Sequence, residues 1–118
     1  MAKYLLSVCY PAGASQPAPA ALQRIMGDVM ALQSEMKSAG VWVFSGGLAA
    51  ASSATVLRHE GGDIMLVDGP FVESKEQVGG ITVVDVVDLD AALGWATRMA
   101  TAIGVPIEVR PFEHAWTS

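Results

Sequence analysis

The sequence predicts an α+β fold of the ferredoxin-like, split βαβ type, and three observations lead there. Compact apolar runs alternate with helical patterns in the order β-α-β, a hairpin, then β-α-β, a repeat of topology without a repeat of sequence. Both helical patterns place apolar residues three and four apart, so each helix has one stripe to bury. In the last strand-like run Ile107 and Val109 alternate with Glu108 and Arg110, and a period of two sends both charges to one face. The expected result is an antiparallel sheet with two helices on one face. The other face, partly polar, is expected to meet a second subunit sheet to sheet and enclose a chamber.

The elements follow in order. Lys3 to Tyr10 is rich in strand formers and ends at Pro11 and Gly13. "AGASQPAPA" is a loop whose prolines suit a helix entry, where a missing N–H is no loss. From about Pro19, the spacing of Leu22, Ile25, Met26, Val29, Leu32 and Met36 marks an amphipathic helix, and Gly40 after Ala39 caps its end. Val41 to Ser45 is a second strand, closed by Gly46 and Gly47. "LAAASSA" is a connection, and "TVLRHEGGDIMLVD" is two short strands about Gly61-Gly62. Ile81 to Val87 is a β-branched strand interrupted by Asp85. Asp88 or Asp90 caps a second helix carrying Leu89, Ala92, Leu93, Ala96, Met99 and Ile103, and Gly104 and Pro106 stop it. Ile107 to Phe112 is the last strand, followed by the tail "EHAWTS".

Composition narrows function by exclusion. At 118 residues the chain, 1–118, reads as one domain. Hydrophobic residues make up 52% of it, a surplus that fits a homodimer interface. No apolar run approaches the ~18 residues of a membrane span. Seven Lys and Arg against twelve Asp and Glu give a net charge of −5, and the basic residues are scattered. Nucleic acid and anionic membranes need clustered cations, so neither is expected as a partner. Cys9 is the lone cysteine and His59 and His114 lie far apart, so no metal site is recognisable. The apolar run in "MAKYLLSVC" is too short for a signal-peptide core. Val8 is too bulky for a cleavage site, so a strand is the better reading and the cytoplasm the expected compartment.

"MAKYLLSVCY", "EMKSAGVWVFSGGL", "LVDGPFVESKEQVGG", "VVDLDAALGWA" and "IEVRPF" stand in the order and spacing of the YCII-related family. The chain resembles its DGPF-type branch over essentially its whole length. The resemblance implies a ferredoxin-like subunit in a dimeric α+β barrel, with a ligand site in a cleft beside the dimer interface. It also implies an association with extracytoplasmic-function sigma factors, in a family whose functions are mostly unassigned. One departure matters. YCII proper carries a His in its first helix and an Asp just before the glycine that ends it; aligned on Gly40, those positions hold Val29 and Ser38. That acid–base pair is not carried over.

The stretch "VDGPFVESKEQVGG" supplies most candidate groups. Asp68 ends a strand where Gly69-Pro70 turns the chain. Its carboxylate suits bonds to the turn's amides or the role of a general base, and the two are compatible. Phe71 reads as an anchor for the loop, with ligand stacking as the alternative. Glu73, Lys75 and Glu76 read as a solvated cluster, with anion binding as the alternative for Lys75. Gly79 and Gly80 supply permissive backbone angles. Cys9 reads as a buried, inert thiol, His59 as exposed, and Trp42, Trp95 and Trp116 as packing residues. Arg110 is expected to pair with Glu108, Asp85, Asp68 or a bound anion.

Two classes of function fit. One is a cofactor-independent enzyme or binder whose small-molecule ligand meets Asp68, Phe71, Glu73, Lys75, Asp85 and Arg110 in the dimer chamber. Proton transfer is the reaction these groups support, since redox chemistry would need a cofactor. The other is a non-catalytic regulatory module that contacts a protein such as a sigma factor.

Overall fold

The computed structural model describes residues 1–13, 16–71 and 76–116. In chain order the elements are β1 (Ala2–Pro11), α1 (Pro19–Ser38), β2 (Trp42–Gly47), a single 3-10 turn (Ala51–Ser53), β3 (Thr55–Glu60), β4 (Asp63–Asp68), β5 (Glu76–Val86), α2 (Leu89–Ile103) and β6 (Ile107–Pro111). Four strands form one antiparallel sheet in the order β2-β5-β1-β6, and β3 and β4 pair separately. That strand order with two helices is the ferredoxin-like α+β arrangement.

Strand alternation sorts the two faces of the sheet. Tyr4, Leu6 and Val8 of β1 and Val84 and Val86 of β5 are buried against Leu32 and Met36 of α1 and Ala92, Ala96 and Met99 of α2. The two alanines let α2 lie close to the strands, and Ile107 and Val109 of β6 complete the layer. Lys3, Leu5, Val83, Asp85, Glu108 and Arg110 fall on the opposite face. There Lys3 stands opposite Asp85, Leu5 lies between Val83 and Arg110, and Ser7 lies between Ile81 and Glu108.

The helix ends show how local chemistry fixes the boundaries. At the end of α1, Gly40 takes φ 74° and donates to the Lys37 carbonyl, while Val41 donates to that of Met36. This pair of bonds is a Schellman closure, which suits glycine because a side chain resists that backbone angle. Asp88, not Asp90, caps α2, its Oδ1 accepting from the Ala91 N–H at 2.9 Å. In the hairpin, Gly61 and Gly62 have φ 58° and 87°, the two positive angles of a type I′ turn.

Several expectations need correction. β2 continues through Gly46 and Gly47, which pair with Ile81 and Gly80, and β5 begins at Glu76, well ahead of Ile81. Gly79 and Gly80 are strand residues without positive φ, so backbone freedom is not their reason. Space is. A Cβ on Gly79 would lie 2.4 Å from the Tyr10 ring, and one on Gly80 would lie 3.3 Å from the Gly46 carbonyl oxygen. Cys9 is half-buried, its thiol donating to the Ser7 carbonyl at 3.6 Å. Trp42 and Trp95 do pack on the core, but Trp116 is 88% exposed.

The β3–β4 hairpin stands away from this body. Leu57 and its cross-strand partner Leu66 are 63% and 70% exposed, with Ile64 and Met65 about half exposed beside them. The radius of gyration is 16.2 Å, against about 13.5 Å for a compact chain of this length.

Two substitutions test these local causes. Asp88→Ala should lose about 1 kcal/mol and lower the midpoint of thermal unfolding by about 4 °C, whereas Asp88→Asn keeps the acceptor and should lose far less. Gly79→Ala should cost about 1–3 kcal/mol in urea unfolding through overpacking. Most of that loss should vanish in a Tyr10→Ala background; an equal loss in both backgrounds would show that the ring is not the obstacle.

Candidate functional site

Between α1, along its length from Leu22 to Met36, and the β2–β5–β1 part of the sheet lies a cavity of about 310 Å³, with Met99 and Ile103 of α2 at its side. Its walls are mostly apolar, with Ile25, Val29 and Met36 on the helix side and Val8 on the sheet side. Ser45 and Thr82 break this apolar lining. They stand directly opposite each other across β2 and β5, with their hydroxyl oxygens 3.1 Å apart. Trp42 Nε1 donates to Ser45 Oγ at 2.8 Å.

That short chain of hydrogen bonds depends on an irregularity in β2. Trp42 and Ser45 are three apart, so an unbroken strand would point them to opposite faces. The register shifts between Trp42 and Phe44, which places Trp42 opposite Val84 and Ser45 opposite Thr82, both on the helix-covered face. Thr82 is only 8% exposed. Buried polar groups require partners, and the cross-strand hydroxyl pair supplies them.

The residues singled out from the sequence lie elsewhere, in two groups. The first belongs to the hairpin and its exit. Asp68 is exposed at the end of β4, opposite Thr55. The Gly69 N–H bonds the Ala54 carbonyl at 2.7 Å. Among the described residues none donates to the Asp68 carboxylate. Phe71 is 68% exposed, so it does not anchor the loop in the core; Arg58 stacks over its ring at 5.1 Å. Glu73 and Lys75 lie outside the described residues. A second cavity of about 510 Å³ at the hairpin's base is lined by residues such as Ala50, Pro70, Glu76 and Val78, but not by Asp68 or Phe71.

The second group sits on the uncovered sheet face. Lys3 Nζ is 3.4 Å from Asp85 Oδ2, and both side chains are about two-thirds buried. The other oxygen, Asp85 Oδ1, is shut off from solvent and has no hydrogen-bond partner among the described residues. Arg110 pairs with Glu108 at 2.7 Å, one of the carboxylates anticipated for it, while remaining 70% exposed. So the structure brings Asp85 and Arg110 to one face but leaves Asp68 on a different sheet.

Sequence reasoning overlooked Trp42, Ser45 and Thr82. The available signal was a single hydroxyl inside each of two apolar strand runs, "VWVFS" and "ITVV". Among the described residues, no three or more His, Cys, Asp or Glu side chains are grouped to hold a metal ion. Among the described residues, no helix is long and apolar enough to cross a membrane.

Comparison with known proteins bears on the whole chain. The family model for the YCII-related domain matches residues 3–113. An uncharacterised protein of Rhizobium meliloti (strain 1021) is 36% identical over 80 residues, which is 68% of this chain and 64% of that protein. The matched region thus spans just under two-thirds of the relative's length. Since the family match takes in nearly every element from β1 to β6, the chain belongs to the YCII-related family.

Proposed function

We propose that the protein is a DGPF-type member of its family that binds a small molecule in the cavity between α1 and the sheet, and that it works as a homodimer joined across the open sheet face. The observation that carries the ligand reading is a partly buried hydroxyl pair set in mostly apolar walls. Small-molecule sites have this character: hydrophobic lining, a few placed polar groups, and volumes from roughly 300 Å³ upward. Val29, which stands where YCII proper has its histidine, lines this same cavity.

Binding is favoured over proton transfer. A general acid or base must reach the ligand, and Asp85 and Arg110 lie on the sheet's far face while Asp68 belongs to the hairpin. In a dimer those groups, with Phe71, Glu73 and Lys75, would border the chamber between subunits.

The dimer reading is supported by the open face itself. A sheet face meant for water is usually polar, yet Leu5, Ile81, Val83 and the 53%-exposed Phe44 form its middle. A second copy would cover this stripe and bring a donor within reach of Asp85 Oδ1. The exposed Leu57 and Leu66 of the hairpin favour a second reading, a module that docks on a protein such as a sigma factor.

Light scattering at micromolar concentration should give twice the subunit mass, and Leu5→Glu, which places a carboxylate in the stripe, should give a folded monomer. A wild-type monomer would remove the dimer from the proposal. For the cavity, naphthalene should bind and quench tryptophan fluorescence. Val29→Phe, which fills the space, should weaken that binding at least about tenfold, or 1.4 kcal/mol, without lowering thermal stability.

A further inference from the structure

We infer that the cavity's ligand is a neutral, mostly apolar molecule that presents one hydrogen-bond acceptor, such as a ketone carbonyl, to the Ser45–Thr82 pair. This rests on the cavity being the ligand site. The chemistry of the acceptor follows from counting hydrogens. Trp42 Nε1–H, Ser45 Oγ–H and Thr82 Oγ1–H are three donors, and they share two links, Trp42 to Ser45 and Ser45 to Thr82. Whichever hydroxyl donates in the second link, the other keeps a hydrogen that no acceptor among the described residues takes up.

A buried donor left unsatisfied is costly, whereas a spare lone pair is tolerated more readily. The pair therefore selects for an acceptor over a donor. Charge is selected against by the walls. Among the described residues no carboxylate, amine or guanidinium lines the cavity, and an ion taken from water into such a lining would lack a counter-charge. Gln33 and Tyr10, the other polar side chains on the wall, each both donate and accept, so they add no preference of sign. Gly47 and Gly80, paired on the helix-covered face, keep the sheet wall beside the pair free of side chains, so a flat molecule can reach the hydroxyls from the helix side.

Three probes of one ring size test this in the full chain by titration calorimetry: naphthalene, 2-acetylnaphthalene and 2-naphthoate. The ketone should bind about five- to tenfold more tightly than the hydrocarbon, the value of one added hydrogen bond, and the carboxylate should bind more weakly than either. Thr82→Val alone leaves the Ser45 Oγ–H without an acceptor, and Ser45→Ala alone leaves the Thr82 Oγ1–H without one, so each single variant should still prefer the ketone. The double variant Ser45→Ala/Thr82→Val removes both hydroxyls from the lining and should bring the ketone and the hydrocarbon to near-equal affinity while leaving naphthalene unchanged. The wild-type ratios decide the matter even if a variant fails to fold. Equal binding of ketone and naphthalene to the wild-type protein would overturn the acceptor inference while leaving the cavity reading intact, and tightest binding by 2-naphthoate would overturn the neutral class. If none of the three binds, the cavity reading falls first and this inference with it.

Discussion

The four-stranded sheet has two faces and this chain has helices for only one of them. Everything that follows from the sequence is organised by that asymmetry. On the covered face, Leu6, Val84 and Val86 are almost fully removed from water, and the helices can settle because alanines at 92 and 96 admit close approach. On the uncovered face the same strands must carry side chains suited to a different neighbour. The mixture found there, an aliphatic stripe bordered by Lys3–Asp85 and Glu108–Arg110, belongs neither to a closed core nor to a wetted surface.

The parts legible in the sequence are those governed by one residue and its immediate neighbours. Gly61-Gly62 fixes a turn because both positions need a positive φ, Gly40 ends a helix for the same reason, and Asp88 caps one with its own side chain. Periodicity likewise revealed which residues face the helices in β6. What escaped were features that depend on two segments distant in sequence. Gly79 looks like a breaker until the Tyr10 ring is seen lying against it from the neighbouring strand. Ser45 and Thr82 become a pair only when β2 aligns with β5, and a shift of one residue in that register would send them to opposite faces.

The choice of candidate residues from the sequence follows the same logic. Charged residues in a loop draw attention because they are chemically loud, and "DGPFVESKE" is the loudest stretch here. Asp68 nevertheless stands at the open end of a hairpin with its carboxylate in solvent, and Phe71 is held by Arg58 instead of by the core. The quieter groups, two hydroxyls and an indole N–H, sit partly buried on the helix-covered face. There a single hydrogen bond discriminates more sharply than it does at an exposed position.

The way α1 is fastened has a dynamic consequence. Its last turns are pinned by the Schellman closure at Gly40, by the buried Leu32 and Met36, and by the Arg98–Glu35 ion pair to α2. Its first turns begin at Ala18 without a side-chain cap, and Met26 and Met30 lie more than half exposed. The cavity runs beneath the helix from Leu22 to Met36, so its N-terminal end is roofed by the turns that are least fastened. Backbone amides near Leu22 should therefore exchange with solvent faster than those near Met36.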